Sequence, residues 1–129
     1  MLTVLETQGV FLALNSHLLE ATEASEEQAE AIGRVTEDAL ARAFRKIREG
    51  GPDWFVYENG SPKKDRLEDE GRTQIIHTQG LPEKVYAILE DYGDPAEWDQ
   101  LYEPEVANDL REALGDKRHQ LTILFASDY

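Results

Sequence analysis

The chain has 129 residues, with 27 Asp and Glu against 13 Lys and Arg, a net charge of −14 and no cysteine. Disulfides, thiolate nucleophiles, zinc–thiolate sites and cysteine-ligated iron–sulfur clusters are therefore excluded. Hydrophobic residues make up 40% of the chain, enough to expect one folded core at a length typical of a single domain, residues 1–129. No apolar run approaches the ~20 residues of a membrane helix, and no basic and then apolar leader opens the sequence, so a cytoplasmic protein is expected.

Leu2 to Leu5 alternates weakly, as a short strand would. Thr7 is placed to cap a helix in which Val10, Phe11, Leu14, Leu18 and Ala21 share a face, although the run Val10 to Leu14 also fits a buried strand. The next element is a helix. Ser25 and Gln28 have capping-box spacing, Ile32, Val35, Ala39, Leu40, Ala43, Phe44 and Ile47 form one stripe, and Gly50, Gly51 and Pro52 end it. Glu26, Glu27 and Glu30 sit at its positive end and Arg45, Lys46 and Arg48 at its negative end, where each stabilises the helix dipole.

Asp53 to Glu58 and Thr73 to Thr78 read as strands. The polar segment Asn59 to Arg72 between them is long for a compact domain and reads as a functional or a mobile loop, mobile being the plainer account. Pro82 and Gly93 bracket an expected helix with Val85, Ile88, Leu89 and Tyr92 facing inward. Asp94 caps a second short helix carrying Trp98, Leu101 and Tyr102, and Pro104 opens a third carrying Val106, Ala107, Leu110, Ala113 and Leu114, closed by Gly115. Gln120 to Ala126 is a strand largely apolar on both faces, which places it centrally in a sheet or covered on both sides. The expected fold is α+β, a single small domain of about three antiparallel strands packed against about five helices.

Few motifs of chemistry are present. The sequence lacks G-x-x-x-x-G-K-[ST], G-x-G-x-x-G, H-E-x-x-H and G-x-S-x-G, so no cofactor is expected and no metal. Asp91, Asp94, Glu97 and Asp99 are dense but do not follow the EF-hand pattern. If the strands bearing His77 and His119 pair, the two rings could meet beside Asp116 or Glu58 and carry general acid–base work; surface or structural histidines are the plainer account. Trp54, Tyr57, Trp98 and Tyr102 would suit base stacking, yet the charge has the wrong sign for a groove that tracks phosphates. Core packing explains them better, with Trp98 as a candidate interface anchor.

The acidic residues of the last third stand out, with 12 acids against 4 bases in residues 81–129. Glu105, Asp109, Glu112 and Asp116 are spaced by four, three and four, which lines them up along one helix. Like charges at that spacing destabilise a helix, so the row has a cost that structure alone does not recover. With Glu90, Asp91, Asp94, Glu97, Asp99 and the neighbouring Trp98, the row is expected to dock onto a basic partner protein or nucleoprotein complex, somewhat as a phosphate strand does. The expectation is a non-catalytic binding or inhibitor protein, in the class of phage counter-defence proteins of anti-CRISPR type that mimic nucleic acid, or of nuclease immunity proteins. It would make no direct contact with nucleic acid or membrane. The alternatives are a small enzyme using His77 or His119 with a carboxylate, and a structural homodimer using Trp98, Leu101 or Tyr102.

Overall fold

The computed structural model describes residues 2–7, 10–18, 25–60, 66–68, 71–115 and 117–129. Seven strands form one mixed sheet in the order β1-β2-β7-β6-β3-β5-β4. They are β1 (Leu2–Thr7), β2 (Val10–Ser16), β3 (Trp54–Asn59), β4 (Arg66–Glu68), β5 (Thr73–Thr78), β6 (Val85–Asp91) and β7 (His119–Phe125). The α-helices among the described residues are α1 (Glu26–Glu49), α2 (Trp98–Leu101) and α3 (Pro104–Leu114), with a 3-10 turn at Pro95–Glu97 leading into α2.

This corrects the expected fold of three antiparallel strands and five helices. The first expected helix is β2, and Thr7, its supposed cap, closes β1. The segment after Pro82 is β6, in which Val85, Ala87 and Leu89 alternate as buried residues. Val85 and Leu89 satisfy a helical spacing as well as a strand spacing, so the local pattern is ambiguous. Pairing settles it, because β6 bonds antiparallel to β3 on one side and to β7 on the other. Two neighbouring pairs, β2 with β7 and β3 with β5, are parallel. Of the expected loop, 61–65 and 69–70 lie outside the described residues, while Arg66–Glu68 forms β4 at the sheet edge.

α1 forms as its sequence dictates. Ser25 Oγ accepts from Gln28 N at 3.2 Å, and Gln28 Oε1 accepts from Ser25 N at 3.0 Å. The helix lays Ala31, Ile32, Val35, Ala39 and Ala43 against Phe55, Tyr57, Val85, Ala87, Leu121 and Ile123 on one face of the sheet. Asp38 holds the two layers together: its Oδ2 accepts from Tyr57 Oη at 2.7 Å and from Arg42 Nε at 2.6 Å. Burial and that hydrogen bond raise the pKa of the Tyr57 phenol.

On the opposite face α2 and α3 cover the β2 end, Val56, Ile75 and Leu124 are buried as well, and Tyr129 packs edge to face on Trp54 and Tyr86. Side chains alternate along a strand, so Ala13 points away from its neighbours Leu12 and Leu14. It meets Trp98, Ala107 and Leu114 there, with Tyr92, Tyr102 and Leu110 around them. This second core seats α2 and α3 over β2. β7 lies between β2 and β6, the central place its two apolar faces require.

Candidate functional site

α3 starts at Pro104, which has no N–H to leave unsatisfied, and stops at Gly115, whose φ of 65° suits glycine. Its inward side is Ala107, Leu110 and Leu114. At 3.6 residues per turn, Glu105, Asp109 and Glu112 fall on the far side from Ala107, and all three are exposed. Helical neighbours at these spacings lie about 5–6 Å apart. Among the described residues no cation pairs with any of the three: Arg111, on the same helix, donates to Asp99 Oδ1 at 2.9 Å instead. Val106, 44% exposed on α3, is an apolar residue on this surface that the sequence pattern assigned to the core.

The rest of the expected acidic surface divides. Glu97 is exposed and has no cation partner among the described residues. Asp116 lies outside the described residues. Asp91 accepts two bonds from Arg118, at 2.6 and 2.9 Å, and one from Gly93 N at 2.9 Å. The guanidinium pulls the Asp91 carboxyl down to about 2. Asp94 Oδ1 caps the 3-10 turn by accepting from Ala96 N at 3.0 Å, Asp99 pairs with Arg111, and Glu90 accepts from Tyr92 Oη at 2.7 Å. These four carboxylates serve the fold.

Trp98 is no surface anchor. It is 0% exposed, and its indole N–H donates to the carbonyls of Tyr92 at 3.0 Å and Gly93 at 3.3 Å. Burial of an indole needs such acceptors, and the chain reversal at Tyr92–Gly93 supplies them.

Comparison with protein-family models, curated proteins and solved structures finds no match.

The histidines are not brought together. β6 and β3 separate β7 from β5, so His119 and His77 sit in different places. His77 is paired in register with Glu58, and its Nε2 lies 3.2 Å from Glu58 Oε1. Its ring is 5% exposed, and its buried Nδ1 has no hydrogen-bond partner among the described residues. His119 lies opposite Asp91, with Nε2 3.8 Å from Asp91 Oδ2, beyond hydrogen-bond range. Burial lowers its pKa, and Asp91 only partly offsets this. A cleft of about 360 Å³ opens there, lined by Lys46, Asp53, Asp91, Arg118 and His119. Sequence spacing does not foretell it, because the walls come from the end of α1, the start of β3 and both partners of the β6–β7 pair.

Among the described residues no helix is long and apolar enough to cross a membrane, and no cluster of metal-ligating side chains occurs.

Proposed function

We propose that this protein binds a basic partner through the outward side of α3. The supporting observation is the row Glu105, Asp109 and Glu112, exposed, on the side away from the core, and without a cation partner among the described residues. Such a row costs helix stability and raises the local negative potential, the condition for steering toward a cationic surface. A partner that handles nucleic acid fits best, since a groove built for phosphates accepts a regular string of carboxylates. Counter-defence mimics and nuclease immunity proteins are the classes that work this way.

The test is capture from the native host at low and high salt, with wild type and the triple variant E105Q/D109N/E112Q as baits. A basic protein should be retained by wild type at low salt and lost at high salt. The same protein should not be held by the triple variant and should lose bound nucleic acid when wild type is added. Equal capture by both baits would refute the reading.

The cleft at His119 supports a second reading, a general acid–base enzyme in which a neutral His119 takes a proton and Arg118 fixes Asp91 beside it. H119Q abolishes turnover under this reading and leaves partner capture unchanged under the first.

A further inference from the structure

The two edges of the sheet are built differently. β4 closes one edge with three residues, of which Arg66 and Glu68 are charged and joined at 3.1 Å. Short, charged edge strands are how natural sheets avoid pairing with other chains. β1 closes the other edge with six residues, Leu-Thr-Val-Leu-Glu-Thr, carrying no proline, lysine or arginine. It follows β2 in unbroken register from Leu2↔Asn15 to Thr7↔Val10, so no bulge twists it away. Among the described residues β1 has a neighbouring strand on one side only.

We propose that β1 pairs antiparallel with β1 of a second copy, joining two seven-stranded sheets about a two-fold axis. A second copy is the occupant the geometry selects. An antiparallel strand pairs with itself about a two-fold, each copy giving and receiving the same bonds. The assembly also closes, because pairing uses up both open edges and leaves only the two blunted β4 edges outside.

The register follows from parity. If α1 stays on the same side of the sheet in both copies, the axis is perpendicular to the sheet and each residue faces one of the same alternation. The axis then falls at Val4 or at Leu5, which sets Val4 opposite Val4 or Leu5 opposite Leu5. In neither register does Glu6 oppose Glu6; its register partner is Leu2 or Val4. Repulsion arises instead from the net charge of each copy and from α3, which lies over β2 next to the interface. Salt screens that repulsion, so added salt should strengthen the dimer while weakening capture of a basic partner.

Sedimentation over a concentration series tests the proposal. The mass should rise from 14.6 kDa toward twice that value, and at lower protein concentration in high salt than in low salt. Because the chain has no cysteine, an introduced thiol reports on its own position. Under oxidation V4C or L5C should form a covalent dimer, since directly opposed strand residues are close to disulfide distance. L67C on the β4 edge should not. If either β1 variant fails to fold, the untagged wild-type mass still decides. A constant 14.6 kDa at every concentration and salt overturns the proposal, and so does a dimer that cross-links through L67C but through neither β1 position.

Discussion

Trp98→Ala is expected to loosen α3 without touching any partner. The side chain is fully buried among Ala13, Ala107 and Leu114. A buried Trp removes roughly 200 Å² from water, which at ~25 cal/mol per Å² is about 5 kcal/mol, and measured Trp→Ala truncations cost about 3–5 kcal/mol. The indole N–H is lost as well. The Tyr92 carbonyl keeps a donor in Tyr102 Oη at 3.0 Å, while the Gly93 carbonyl loses the indole N–H as its donor. At about 4 °C per kcal/mol for a chain of this length, the midpoint should fall by about 15 °C. Trp98→Phe retains most of the area and should lose only about 1–2 kcal/mol. Urea unfolding gives the magnitude, and residue-resolved hydrogen exchange gives the place, with α3 amides accelerated more than those of α1, whose core lies on the other face. A loss below about 1 kcal/mol, or faster exchange in α1 with α3 unchanged, would refute the packing described.

Three further outcomes follow. The triple variant E105Q/D109N/E112Q should melt higher than wild type at low salt, because it removes like-charge neighbours, and the gap should close at high salt; a lower melting point would mean the carboxylates have partners. Asp91 titrates at about 2 when folded and near 3.9 when unfolded, so its contribution is complete above pH ~4 and is lost as pH falls from there through 2. R118Q should flatten that part of the stability–pH curve, measured by denaturant titration. Gly60→Ala places a Cβ 2.9 Å from His77 Cδ2, and with the ring buried it should destabilise by about 1–3 kcal/mol in thermal unfolding.

What the sequence revealed was what local physics decides. The Ser25–Gln28 capping box, the stripe of α1 and the glycine stop at Gly50 depend on residues within a few positions of each other, and α1 follows them closely. The limits of β5 and the central place of β7 were readable from alternation and from two apolar faces. The acidic row on α3 was readable because helical periodicity alone sets it. On local pattern β2 stays open between helix and buried strand, and β6 reads wrongly as a helix, since Val85 and Leu89 fit two periods and only pairing with distant strands chooses between them. Core packing is the better reading of Trp98, but the pattern alone does not set aside an anchor role, because no spacing reveals the Tyr92 and Gly93 carbonyls that accept from its indole N–H. The pair Asp91–Arg118 was invisible because it depends on the register Asp91↔His119 between strands far apart in the chain.

The place of β7 also governs when the protein can fold. Ala13 in β2 pairs with Gln120, more than a hundred residues downstream, so β1 and β2 find their flank only after residues 119–125 have been synthesised. Until residues 119–125 emerge, a growing polypeptide can assemble β3, β5 and β6, but β2 has no strand through which to bond to them and can only pack on α1. A nascent chain paused just short of that point would leave β2 without its β7 partner, the form most open to chaperone capture or degradation.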